Sequence, residues 1–189
     1  MEDKINLYVY IGRMSPAHVG HQRIIHEALK RVPESNFLLV LGSSNAPTSY
    51  RNMFTLGDRT KFVRALFPHI NIVSLADQTD GTPESCNEEW LLSLNQLIES
   101  WRYGREDASS RNIIFCAGSY EDVSWFLECG YQIEVFNRYD GSGPGMNISA
   151  SGIRDALVSG RTISGMVDDR IVSMVENTFN TRWAKFKNR

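Results

Sequence analysis

Two kinds of apolar pattern alternate along this chain. Near-continuous apolar runs fall at residues 5–11, 37–41, 71–75, 112–117 and 131–136. Each is short, and most end in turn residues, which is how strands covered on both sheet faces read. Between them the apolar residues recur every three or four positions. Ile24, Ile25, Ala28, Leu29 and Val32 form one such set; Phe62, Val63, Leu66 and Phe67 form another. The clearest is Trp90, Leu91, Leu94, Leu97, Ile98 and Trp101, all on one helical face. Thr55 is a natural N-cap for a helix over about 56–67, which Pro68 ends. A short helix is expected at 121–129. Another carries Ile153 and Leu157, is capped by Ser149 or Ser151 and closes at Gly160. A last one runs over about 168–179. Polar residues 76–87 read as a loop, and the glycine-rich 140–145 as a mobile one.

Five strands alternating with helices predict an α/β fold: a five-stranded parallel sheet, Rossmann-like, with helices on both faces. In such sheets ligands bind beyond the carboxyl ends of the strands, where the strand order reverses. That rule gathers residues 12–21, 42–52, 76–90, 118–119 and 136–154 in one place. No GxGxxG or GxxxxGK[ST] segment is present.

With 189 residues, 42% of them hydrophobic, the chain suits one domain with a real core. Residues 1–165 would form it, with 166–189 a helical extension packed on the same domain. The basic end, 182–189, reads as a solvated tail or helix face. A net charge of −2 gives no general footprint for nucleic acid, so any attraction for anions must be local. Cys86, Cys116 and Cys129 have no disulfide or zinc spacing, which suits a reducing cytoplasm. Residues 1–4 are charged and do not read as a signal peptide, and no apolar stretch reaches membrane-spanning length.

The chemistry concentrates at Gly12-Arg13-Met14-Ser15-Pro16-Ala17-His18-Val19-Gly20-His21, between the first strand and the first helix. Gly12 lets the chain leave the strand closely, Pro16 keeps Ser15 out of helical geometry, and Gly20 leaves room at the helix start. Helix-start N–H groups attract phosphate. Two imidazoles and Arg13 beside them would make a polyphosphate site. Either histidine alone would read as a cap or a surface residue. The second signal is Ile148-Ser149-Ala150-Ser151-Gly152-Ile153-Arg154, where Arg154 sits on the first turn of a capped helix, placed to grip phosphate.

Together these segments resemble the His-x-Gly-His and Ile-Ser-x-Ser/Thr-x-x-Arg signatures of the nucleotidyltransferase superfamily. The middle of the chain narrows the resemblance to nicotinamide mononucleotide (NMN) adenylyltransferases of the archaeal type. Gly42-Ser43-Ser44 and Arg51-Asn52-Met53-Phe54-Thr55-Leu56-Gly57-Asp58-Arg59 follow that pattern, with Met53 in place of Pro and Asp58 in place of Glu. Asn87-Glu88-Glu89-Trp90 matches as well, as does Gly118-Ser119. Ala17 departs from it, since an aromatic residue usually stands there. From the length of 189 residues, the fused hydrolase that some relatives carry is not expected.

The resemblance implies adenylyl transfer from ATP to NMN, giving NAD and pyrophosphate. His18, His21, Arg13 and Arg154 would be catalytic. ATP would be held by Gly12, Arg13, Ser15, His18, Gly20, His21, Gly118, Ser119, Ile148, Ser149, Ser151 and Arg154. NMN would be held by Gly42, Ser43, Arg51, Phe54, Asn87 and Trp90, with Trp90 stacking on the nicotinamide. Arg59, inside a helix, would support the loop. Mg²⁺ is expected to bind through the nucleotide phosphates, with no protein cage. Relatives often assemble, so the sequence permits a homo-oligomer without fixing one; nucleic acid and membrane are not expected partners. Alternatives are another acceptor of the same superfamily (nicotinate mononucleotide, phosphopantetheine, glycerol phosphate) or a non-catalytic nucleotide-binding regulator. The Ser142–Met146 segment lacks the Arg-Thr-x-Gly expected of a cytidylyltransferase.

Overall fold

A computed structural model describes residues 6–103, 112–137 and 148–188. The expectations for 140–145 and for Ser142–Met146 lie outside these residues. Five strands are present: β1 (Asn6–Gly12), β2 (Phe37–Leu41), β3 (Asn71–Ser74), β4 (Asn112–Ala117) and β5 (Gln132–Val135). All neighbours pair in parallel, in the order β3-β2-β1-β4-β5. The order reverses between β1 and β4, so the crevice for a ligand opens above the carboxyl ends of those two strands.

Six helices connect and cover the sheet: α1 (Val19–Leu29), α2 (Leu56–Leu66), α3 (Pro83–Arg102), α4 (Ser124–Glu128), α5 (Ala150–Val158) and α6 (Asp169–Lys187). The period of two along each strand divides the core. Tyr8 and Tyr10 of β1, with Phe37, Leu39 and Leu41 of β2, pack against α1, α2, α5 and α6. Val9, Leu38, Val40 and Phe115 face the other way, onto Leu94 and Ile98 of α3 and Phe126 of α4. Every residue of β2 is buried, as a strand covered on both faces requires.

Two boundaries differ from the sequence reading. α3 begins at Pro83 with Thr82 as its N-cap, so half of the expected 76–87 loop is helix and Asn87 lies on it. Pro at N1 after a Thr cap fits helix initiation, but the polar composition of 83–89 conceals it, because those turns project past the core and stay exposed. α6 runs on to Lys187, so most of the basic end is helical. Its side chains also reach the body of the protein: Phe179 packs on Phe54, and Arg182 pairs with Asp58 at 2.5 Å and donates to Thr55 Oγ1.

Candidate active site

The two histidines share a single hydrogen-bonded device at the start of α1. His18 is the N-cap: its Nδ1 accepts the Gly20 N–H at 3.2 Å. His21 Nδ1 in turn accepts the His18 N–H at 3.2 Å, completing a capping box built from imidazoles. An Nδ1 that accepts leaves the proton on Nε2, so each neutral ring offers Nε2–H as a donor. The rings lie 3.7 Å apart between centroids, with His18 buried and His21 partly exposed above it.

The helix start itself is less open to an anion than its sequence suggests. The Val19 N–H donates to the Met166 carbonyl at 3.1 Å and the Gly20 N–H to His18. Side chains therefore supply much of the positive character here. Arg13 follows β1, Arg51 stands on the loop after β2, and Arg154 comes from α5. With Ser15, His21, Tyr50 and Ser151 they line one cavity of about 510 Å³. Burial lowers the pKa of Arg13 and of Arg154, and repulsion from neighbouring guanidiniums adds to it: Arg51 acts on Arg13, and both act on Arg154. Like charges packed this closely mean that the cluster gains stability from any anion that enters it.

Arg154 is buried and donates from Nη1 to the Ser15 carbonyl at 2.7 Å, which joins α5 to the loop after β1. Among the described residues, its Nε and the buried Ser15 hydroxyl make no hydrogen bond. Two polar groups left unpaired beside one cavity are what a phosphate oxygen would satisfy. Ser149 caps α5, accepting the Gly152 N–H at 3.1 Å, and lies 3.0 Å from the Ser151 hydroxyl.

Arg59 holds this end together from below. It is buried, and its guanidinium donates to the carbonyls of Arg13 (2.8 Å), Gly42 (2.8 Å) and Ser43 (3.2 Å). Its pKa is lowered by burial first and then by Arg13. Met14 and Ser43 both take left-handed backbone, φ 51° in each, beside the carbonyls that Arg59 binds. The expected supporting role for Arg59 is what these bonds describe.

Arg13 and His21 also line a second cavity of about 390 Å³, which runs between β1 and β4 past Gly12, Phe115, Cys116, Asp122 and Trp125. A Cβ at Gly12 would stand 2.7 Å from the terminal methyl of the buried Met14, which would have to shift to admit it. Burial pushes the Cys116 thiol far up, which makes it an inert wall rather than a nucleophile. Trp90 and Trp125 are shared with a third cavity of about 380 Å³, lined also by Asp77, Gln78, Cys86 and Asn87. Their rings lie 6.2 Å apart at 49°. The three cavities make one cleft, charged at the Arg154 end and aromatic at the Trp90 end.

Several predicted residues sit elsewhere. Phe54 is not at the cleft; it is 2% exposed and packs edge-on against Phe62, 5.2 Å away. Arg51 lies exposed on the turn at 49–52, and Phe54, just ahead of α2, points into the core. Ile148 is buried in the core beside α5. Gly42 and Ser43 contribute carbonyls to Arg59. Gly118 and Ser119 form the turn after β4, where Ser119 bonds Glu121. Gly20 is buried under the capping box. Asn87 and Trp90 do line the cleft, but at its aromatic end, with Arg51 at the other. Trp125 and Tyr50 carry no motif, so sequence reasoning passed over both. The one available signal was an aromatic residue within each segment that the sheet topology brings to the site.

Among the described residues no three His, Cys, Asp or Glu side chains gather to hold a metal ion, and no helix is long and apolar enough to cross a membrane.

Comparison with known proteins agrees with this geometry. Residues 9–156 match the family described as cytidylyltransferase-like. The nicotinamide-nucleotide adenylyltransferase of Halobacterium salinarum is 36% identical over 166 residues, covering 88% of this chain and 83% of that one. The enzyme of the same name from Saccharolobus solfataricus is 38% identical over 134 residues, covering 69% and 70%. In fold, a bifunctional NMN adenylyltransferase/ADP ribose pyrophosphatase from Francisella tularensis superimposes with a TM-score of 0.70 at 17% identity, over 98% of this chain and half of that one. The chain thus belongs to the cytidylyltransferase-like nucleotidyltransferases, and within them to the family of archaeal-type nicotinamide-nucleotide adenylyltransferases.

Proposed function

We propose that this protein transfers the adenylyl group of ATP to nicotinamide mononucleotide, releasing pyrophosphate and forming NAD. One observation carries the reading: His21 and Arg154, from two distant motifs, line a single cavity together with Arg13 and Arg51. The names of the relatives support the choice of acceptor.

The acceptor phosphate is already an anion near neutral pH, so no base is needed to activate it. An oxygen of that phosphate attacks the α-phosphorus of ATP. The bond from the α-phosphorus to its bridging oxygen breaks in line, and pyrophosphate departs with the electron pair. The residues align the two anions and offset the charge that builds on the leaving group. Arg51 receives the acceptor phosphate. Arg13, Arg154 and the Nε2–H of His21 meet the triphosphate, and the Ser15 and Ser151 hydroxyls bond its oxygens. His18 acts through His21, which it orients by the capping box. Gly118 and Ser119 approach the adenosine, and Trp90 stacks on the nicotinamide with Asn87 beside it.

Mg²⁺ would enter as a companion of the nucleotide, held by phosphate oxygens and water, and would screen phosphate charge. Three free thiols, Cys86, Cys116 and Cys129, suit a reducing cytoplasm.

The test is a panel of both pyridine mononucleotides and phosphopantetheine against ATP and CTP, read by pyrophosphate release. Turnover with ATP and NMN is expected. Turnover confined to another acceptor would move the reading to a different transferase, and binding of ATP without release would make the chain a nucleotide sensor.

A further inference from the structure

Tyr50 stands where three parts of the chain meet, and no motif accounts for it. It precedes Arg51 on the loop after β2 and lines the charged end of the cleft beside Ser151 and Arg154. Its hydroxyl donates a hydrogen bond to Asp155 Oδ1, on the residue that follows Arg154 in α5. The Arg154 guanidinium lies over its ring, 5.6 Å from the centroid. The ring's other neighbour is Trp183 of α6, met edge-on at 6.0 Å. Trp183 is stacked in turn on Phe179, which is fully buried. One phenol therefore links the loop that carries Arg51, the helix that carries Arg154, and the core beneath α6.

Such a link has kinetic value. Arg51 is exposed on a loop of turn residues, and a long side chain there loses considerable freedom when it grips a phosphate. Anchoring the preceding residue removes part of that cost before the substrate arrives. The Asp155 carboxylate can hold the phenol only while the phenol keeps its proton. Burial, and then Asp155 itself, raise the phenol's pKa, so the donor persists across the physiological range.

We propose that Tyr50 is a positioning residue for the acceptor side of the reaction, fixing Arg51 through its bond to Asp155. The inference rests on the reading above, in which Arg51 receives the acceptor phosphate. Its test compares the full chain with Tyr50→Phe, Asp155→Ala, their double variant and Arg51→Ala, measuring kcat and both KM values. Tyr50→Phe keeps the ring against Trp183 and removes only the hydroxyl; Asp155→Ala removes the same bond from the other side. Each should raise KM for the mononucleotide about three- to tenfold, the usual worth of one hydrogen bond. KM for ATP and kcat should stay within about twofold, and the double variant should be no worse than either single one. A mononucleotide KM unchanged in Tyr50→Phe, or effects that multiply in the double variant, would overturn the proposal. If Arg51→Ala raises that KM while Tyr50→Phe does not, only the role of Tyr50 falls. If Arg51→Ala leaves it unchanged, the placement of the acceptor phosphate falls first and Tyr50 with it.

Discussion

The two ends of the cleft are built on opposite plans. At the Arg154 end, guanidinium and imidazole groups come from the loops after β1 and β2 and from α1, α2 and α5, and bonds to backbone hold several of them. Arg154 reaches the Ser15 carbonyl, Arg59 takes three carbonyls, and the two histidines cap one helix between them. At the Trp90 end, the walls are two tilted indoles and the exposed first turns of α3. The first plan fixes charge in space before any ligand arrives, which is what stabilising a transition state requires. The second offers area and a π-face, which suits binding a ring and adds little to the chemical step. The difference separates residues that should govern kcat from residues that should govern KM.

The comparison breaks most visibly at His21. His21→Ala should lower kcat by about 10²–10³, the cost of losing one preorganised donor, with a modest change in ATP affinity. Steady-state kinetics with ATP binding measured by calorimetry would check it; wild-type turnover would remove His21 from the chemistry. Next comes Arg59→Met, which leaves three partly buried carbonyls without their donor. Stability should fall by about 2–4 kcal/mol, and residual activity should drop because Arg13 and Ser43 lose their common anchor. Urea unfolding of the variant gives the number, and a loss under about 1 kcal/mol would contradict the role assigned here.

At the other end, Trp90→Ala should raise KM for the mononucleotide by about tenfold with kcat nearly kept, as loss of one stacking face implies. A fall in kcat without a change in KM would erase the division between the two ends. The smallest effect lies remote from both, at the N-cap of α6. The hydrogen bond from Arg170 holds the Asp168 carboxyl down at about 2, below its ordinary 3.8. A lowered pKa means that the ionised form favours the folded state. Its contribution is present above about pH 4 and fades as pH falls toward about 2. Asp168→Asn should therefore cost under about 1 kcal/mol at pH 7 and only a small fraction of that at pH 2, with turnover untouched at neutral pH. Thermal melts at both values would show it.

The sequence disclosed these regions unequally, for physical reasons. Phosphate chemistry demands particular donors at helix starts, so His18, His21 and Arg154 stood out before any fold was known. The strands were equally plain, because a strand covered on both faces must be apolar throughout, as 37–41 is. The ring end was less legible. Stacking needs only an aromatic face, and Trp125 meets that need from a short helix with no motif around it. Phe54 shows the opposite difficulty: it stands inside a recognisable motif yet fills the core, because a pattern records spacing and not direction. The first turns of α3 looked like loop since they bury nothing, and their helix is set by Thr82 and Pro83 rather than by an apolar stripe. Tyr50 escaped notice because its partners, Asp155 and Trp183, are far from it in the chain.

The central claim is that the start of α1 and the first turn of α5 grip the same triphosphate. A crystal structure of the protein with a non-hydrolysable ATP analogue tests it most directly. The account predicts phosphate oxygens within hydrogen-bond distance of both His21 Nε2 and the Arg154 guanidinium, in the cavity those residues share. Phosphates bound elsewhere, or bonded to one of the two residues with the other turned away, would contradict it.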